Sequence, residues 1–299
     1  MLPRLKTLLH ILKSTKNWLS VLMVRYGLKQ KTNAIFRSGY VLPVTKGNWK
    51  KYIYHAYFFS FLPEAKLFDD HVEFPYHSKK LAMYFGKWGF DTILEIFATD
   101  PYKDFLNVVN PKDKVVIDVG ASFGDTAIYF LTRGAKKVYA FEPFPGYFHL
   151  AKKNILNNGF ADYCEVINAA VGGASGEISI DPDMEDMFGI GFEPPVDGCQ
   201  VPVMTLQQII DKYDISDAFL KIDTEGFEYD IIENSSVEAL RHFSDMLIEY
   251  HYGFEKLEKV LSKAGFLIIH TGPTHIYMPQ YDTEEKRNMY TGHIIAKRK

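Results

Sequence analysis

VVIDVGASFGDTAIYF, residues 115–130, is the stretch on which the reading of the whole chain turns. A short apolar run ends in Asp118, a loop with glycines at 120 and 124 follows, and helix-forming residues come next. That order reads as strand, turn and helix. The turn itself excludes two common ligand designs. A P-loop closes on Gly-Lys-Ser/Thr, and no such close is present. A dinucleotide fingerprint, G-x-G-x-x-G, needs its middle glycine so that backbone can press on a pyrophosphate. Here Ser122 and the bulky Phe123 occupy that part of the loop. A nucleoside ligand without phosphate tolerates such a turn. S-adenosylmethionine, an adenosine that carries an amino-acid tail on a sulfonium, is one.

Outward from this stretch the chain keeps a βα rhythm. KVYAFEP (137–143), CEVINAAV (164–171), FLKID (219–223), DMLIEYH (245–251), FLIIH (266–270) and HIIAK (293–297) are strand candidates. DTAIYFLTRG (125–134), GYFHLAKKNILNNG (146–159), TLQQIIDKY (205–213) and FEKLEKVLSKAG (254–265) read as helices, and Thr205 is a natural N-cap. Strands alternating with helices predict an α/β domain with a mainly parallel seven-stranded sheet, helices on both faces, and a ligand at the carboxyl ends of the strands. Glu142 ends the second strand, 24 residues after Asp118. A carboxylate there can accept hydrogen bonds from both hydroxyls of a ribose. Asp118 is placed to order the turn and to reach a ligand amino group.

VVIDVGASFGDTAIYF, VYAFEPFPGYFHLAKKNILNN, INAAVG and LKIDTEGFEYDIIE, in this order, resemble the FkbM family of S-adenosylmethionine-dependent methyltransferases over about residues 95–270. The family commonly has Asn where Ser122 stands and an apolar residue where Thr224 stands. The resemblance implies a Rossmann-like class I methyltransferase fold. On it, Asp118, Gly120, Ala121 and Gly124 form the cofactor turn. Glu142, with Pro143 beside it, holds the ribose; Asn168 and Ala169 lie near adenine; Asp223 faces the methyl-transfer region.

Methyl transfer from a sulfonium is an in-line displacement, so positioning supplies much of the rate. A hydroxyl acceptor also gains from a base, or from a cation that lowers its pKa. IDTEGFE and IEYHYG supply the candidates: Asp223 and Glu225 after one strand, Glu249 and His251 at the end of the next. His251 is the expected base, since its proton is tunable around neutral pH. Asp223 and Glu249 are a candidate Mg²⁺ pair. Helix capping by the acidic residues and a merely hydrogen-bonded His251 are the competing structural readings. The acidic segment 176–203, with Asp181, Asp183, Glu185 and Asp186, reads as a hairpin that is either a lid over the acceptor or a solvated excursion.

The remainder of the chain is different in charge. Residues 1–63 hold eleven Lys and Arg and no Asp or Glu, although the whole chain has a net charge of −3. A basic head on an acidic body predicts an anionic partner for the head. Residues 1–32 read as a basic amphipathic helix that either lies on the inner membrane surface or packs on the protein itself; Lys13 and Lys16 interrupt any span. Residues 33–107 read as a small α+β region with hairpins at IFRSGYVLPV (35–44) and KLAMYFGKWGF (80–90), and residues 108–299 as the cofactor-binding domain. FDDHVEFPYH (68–77) collects acids and histidines, most simply as a solvated loop. Two cysteines without metal spacing fit a reducing, cytoplasmic compartment.

The leading expectation is O-methylation of a small molecule, glycan or lipid-linked sugar. A nicotinamide-dependent oxidoreductase and a non-catalytic membrane-docking module are the alternatives. No arginine-rich, aromatic-interleaved surface points to nucleic acid, and the sequence leaves the oligomeric state open.

Overall fold

The computed structural model describes residues 2–86, 89–181, 198–279 and 283–299. The chain forms two compact units, Met1–Asp100 and Pro101–Lys299. The first 32 residues thus belong to the same unit as the small α+β region.

In the first unit the expected single N-terminal helix is two, α1 (Leu2–Ser14) and α2 (Trp18–Arg25). The break coincides with a pairing to the next strand. The Asn17 side chain acts as a strand partner for β1 (Lys31–Ile35): its Oδ1 accepts the Ile35 N–H at 2.9 Å and its Nδ2 donates to the Asn33 carbonyl at 2.8 Å. That pairing draws the backbone out of helical geometry at Thr15–Asn17. β1 pairs antiparallel with β2 (Val41–Thr45), joining Ile35 to Val41 around the expected Ser-Gly turn. The apolar stretch that follows is α3 (Trp49–Phe61), whose Tyr52, Ala56, Phe58 and Phe59 are buried.

FDDHVEFPYH is not a loop. It carries β4 (His71–Tyr76), the centre of a meander with β3 (Lys66–Leu67) and β5 (Lys79–Tyr84). Val72 and Phe74 alternate inward, and the charged residues alternate outward, where Asp70 pairs with His71 and Glu73 with Lys80. Residues 80–90 are therefore not a hairpin by themselves: β5 turns back on β4, and Gly89 opens a short helix, α4 (Gly89–Ile93).

The second unit is built on β6 (Val115–Val119), β7 (Lys137–Phe141), β8 (Cys164–Ile167), β12 (Ala218–Ile222), β13 (Phe243–Tyr250), β14 (Phe266–His270) and β16 (Asn288–Arg298). Their order is β14-β16-β13-β12-β6-β7-β8, with β15 (Thr274–Tyr277) added on β16. The pairs from β13 through to β8 are parallel; β16 runs antiparallel between β13 and β14. The strand order reverses at β6 and β12, which places the ligand crevice at their carboxyl ends.

Central strands buried on both faces must be apolar throughout. β12 meets this except at Lys221, although all five of its residues are buried. One face packs Ile117, Val119, Leu220, Ile222 and Ile248 against α7 (Leu206–Tyr213), α8 (Glu228–Glu233), α9 (Val237–Leu240) and α10 (Glu255–Lys263). The other packs Phe219 against Phe130 of α5 (Asp125–Thr132). Thr205 caps α7 in a full capping box with Gln208.

The short β9 (Ala170–Val171) leads to the expected hairpin. β10 (Gly176–Ile180) pairs antiparallel with β11 (Cys199–Met204), and Cys199 stands opposite Ile180. Asp183, Glu185 and Asp186, and with them the lid reading, lie outside the described residues.

Candidate active site

The glycine turn is stitched to the two neighbouring strand ends and to one helix. The N–H groups of Gly120 and Ala121 both donate to the Phe141 carbonyl, at 3.0 Å each. Gly120 has φ +76°, and a Cβ there would lie 1.8 Å from the Asp223 carbonyl oxygen, so only glycine lets β6 and β12 approach this closely. Gly124 has φ +81° and packs on the Ala151 backbone of α6 (Pro145–Asn157). Between them Ser122 also has positive φ, +47°. Asn tolerates that conformation better than most residues, which gives the family's common Asn at this position a backbone reason. The Asn154 side chain holds the Phe123 carbonyl at 2.8 Å, and Phe123 itself is buried rather than facing a ligand.

Asp118 and Glu142 flank this turn, and both are buried. Asp118 Oδ2 accepts from the Thr126 hydroxyl at 2.7 Å, whereas Oδ1 makes no hydrogen bond and has only the Lys221 ammonium 3.4 Å away. Burial raises the Asp118 carboxyl above its ordinary range, against the pull of Lys221 and Thr126. Glu142 accepts one backbone N–H on each oxygen, from Ser122 at 2.8 Å and Phe144 at 2.9 Å. Burial pushes its carboxyl up to about 8, despite those two donors. Asn168 Nδ2 spends its hydrogens on the carbonyls of Glu142 (3.0 Å) and Pro143 (2.9 Å), tying the end of β8 to the end of β7. Only its Oδ1 is then left to meet a ligand edge. Ala169, next to it, is buried.

Lys221 is the residue that sequence reasoning missed. Its ammonium is buried beneath the turn, donates to the Gly120 carbonyl at 2.9 Å, and pairs with Asp118 and, at 3.6 Å, with Asp223. Burial works against the charge, but Asp118, Asp223, Asp125 and Glu249 more than offset it and raise its pKa. The one available signal was a lysine inside an otherwise apolar central strand.

Beyond β12 a second cluster forms. Glu225 adopts φ +53° and Gly226 φ +113°, a strained turn that aims the 223–226 segment at β13. Glu228, also missed, is fully buried and holds that turn. One oxygen accepts from the Gly226 N–H at 2.9 Å; the other accepts from the His251 N–H at 2.9 Å and faces His251 Nδ1 at 3.1 Å. His251 Nε2 faces Glu225 at 3.2 Å. Burial alone would lower the His251 pKa, but Glu225 and Glu228 raise it well above its ordinary value. Both ring nitrogens thus face carboxylates, which favours the protonated ring.

Glu249 stands apart from this cluster. It faces His293 of β16, directly opposite in register, with Nε2 3.7 Å from its carboxylate. Among the described residues the metal-type grouping is Asp223, Glu225 and His251, within 4.8 Å of one another, and does not include Glu249. The expected Asp223–Glu249 Mg²⁺ pair is not what the strand ends assemble.

The strand order and the turn at its switch point define a Rossmann-like α/β fold. The model of the methyltransferase FkbM domain matches residues 118–268, just over half of the chain, and the chain belongs to that family. No curated protein matches its sequence. Among solved structures it is similar to an FkbM methyltransferase from Methylobacillus flagellatus KT, with 16% identity and TM-score 0.39, covering 61% of this chain and 43% of that one. It is also similar to precorrin-6y C5,15-methyltransferase from Geobacter metallireducens GS-15, with 13% identity and TM-score 0.38, over 68% of this chain and 90% of that one. A third is M. capricolum TrmK in complex with S-adenosyl-homocysteine, with 14% identity and TM-score 0.41, over 66% of each chain.

Proposed function

We propose that the chain binds S-adenosylmethionine at the 118–124 turn and methylates a hydroxyl of a small molecule, glycan or lipid-linked sugar. The observation that carries the cofactor assignment is Asp118. A fully buried carboxylate oxygen without a hydrogen bond, beside a turn that a single Cβ would block, fits a cationic ligand amino group. Glu142 holds the ribose from the next strand, with the Gly120–Ala121 backbone and Pro143 framing it, and Asn168 and Ala169 border the base.

Bound S-adenosylmethionine supplies an electrophilic methyl on a sulfonium. The chain's own task is to orient the acceptor oxygen and take its proton. Asp223, partly exposed beside the turn, would take the hydroxyl proton of the acceptor on a carboxylate oxygen. His251 and Glu249 set the charge around that carboxylate, the first held between Glu225 and Glu228. No metal enters this reading.

Calorimetric titration with S-adenosylhomocysteine tests the cofactor. Wild type binds and Glu142→Ala loses most of the affinity; a folded wild type that does not bind overturns the assignment. For the chemistry, Asp223→Asn is expected to keep cofactor affinity and lower the turnover of a hydroxyl acceptor by about 10²–10⁴. Transfer at the wild-type rate would remove Asp223 from the proton path.

A further inference from the structure

We propose that the outer face of α2 and the turn after it form a docking surface for an anionic lipid membrane. The inference is independent of the methyltransferase reading, because every residue involved lies in the first unit.

α1 does not provide this surface. Its His10 ring stacks against Tyr57 and Phe61 of α3, at 4.4 and 5.4 Å, and hydrogen-bonds Ser60 at 2.7 Å. Ile11 is buried as well, so the side of α1 that carries His10 and Ile11 is used within the unit, and Leu9 alone of its large apolar residues with a described surface is exposed, at 49%. α2 is different. Val21 and Val24 face inward and are fully buried, while Leu19, Met23 and Tyr26 form a stripe at helical spacing that is 63%, 37% and 76% exposed. Leu28, 72% exposed, extends the stripe into the following turn. That turn is ordered: the N–H groups of Leu28 and Lys29 both donate to the Met23 carbonyl, at 2.8 and 3.1 Å, and Gly27 takes the left-handed φ of +79°.

The charge around the stripe is of one sign. Lys16, Arg25, Lys29 and Lys31 are exposed about it, and the Lys46 ammonium lies against Gly27. Arg25 is placed over the Trp49 ring, 5.5 Å from its centroid. No carboxylate occurs in residues 1–63. Large apolar side chains ringed by uncompensated Lys and Arg match the boundary between acyl chains and anionic headgroups. A second copy fits poorly, since an isologous pairing would set these cations against each other. Nucleic acid fits poorly too, because Leu19, Met23 and Leu28 offer no donor to a phosphate.

The test is flotation of the full chain with phosphatidylcholine vesicles, with and without phosphatidylserine, at low and high salt. Binding is expected only with phosphatidylserine, and it weakens with salt. Leu19→Glu with Leu28→Glu is expected to weaken it more than about tenfold, the factor that 1.4 kcal/mol represents. These side chains are exposed, so the thermal midpoint should not move, and Leu156→Glu, at an exposed leucine of the second unit, should leave flotation unchanged. Equal binding to neutral vesicles, unchanged binding by the double variant, or no binding at all overturns the proposal. So does a dimer in sedimentation that the double variant dissolves while vesicles still do not bind.

Discussion

Lys221 is the single side chain on which the candidate site leans most. It neutralises two carboxylates from beneath and fastens the Gly120 carbonyl. Lys221→Met would remove the cation that Asp118 and Asp223 share and leave buried Asp118 to fold protonated, so stability should fall, and fall further as pH rises. Urea denaturation should show that loss, and adding Asp118→Asn should restore part of it. Glu142 gives the site a pH signature. Its carboxyl titrates at about 8 in the fold instead of its ordinary 4.5, so between those values the cofactor-free fold binds a proton that the unfolded chain does not. Stability therefore falls as pH rises through that window. His251, also raised, adds a loss in the same direction above its ordinary 6.5. Ribose hydroxyls that donate to Glu142 favour the carboxylate, so cofactor binding should release a proton in this window. Titrations in buffers of different ionisation enthalpy should detect the release in wild type and not in Glu142→Gln.

At the scale of elements, the sequence was most informative where one physical rule acts alone. Thr205 caps α7 as expected, and Thr205→Ala should cost about 1 kcal/mol, seen as a fall of about 2–4 °C in the thermal midpoint. The strand and helix rhythm of the second unit was legible because apolar runs and glycine stops are local signals. The first unit was less so. Asn17 breaks the N-terminal helix by pairing with β1, a contact made across the fold that no local propensity contains. FDDHVEFPYH looked like a polar loop because its buried Val72 and Phe74 are only two residues among charged neighbours. In the site, Asp118, Gly120 and Glu142 were readable from order and spacing, as a turn and its flanking carboxylates. Lys221 and Glu228 were not, because their roles depend on burial: a charged residue in a strand or at a helix start looks solvated until its neighbours surround it. The surroundings of His251 were hidden for a related reason, since Glu228 comes from a different element.

Over the whole molecule, segments far apart in sequence converge on the glycine turn of the second unit. Hydrogen exchange with and without S-adenosylhomocysteine should therefore gain protection in four separate stretches, around 118–126, 141–144, 168–169 and 221–226. Protection confined to one of them would contradict a common ligand. The hairpin that rises from β10 and β11 has a practical consequence. Of the two free cysteines, Cys164 is buried in β8, and burial pushes its thiol up and so suppresses the reactive thiolate. Cys199, opposite Ile180 where β11 begins, is accessible. A maleimide dye should therefore attach at one place without any mutagenesis. The native protein carries its own fluorescent reporter position, at the base of the hairpin that the sequence reads as either a lid or a solvated excursion.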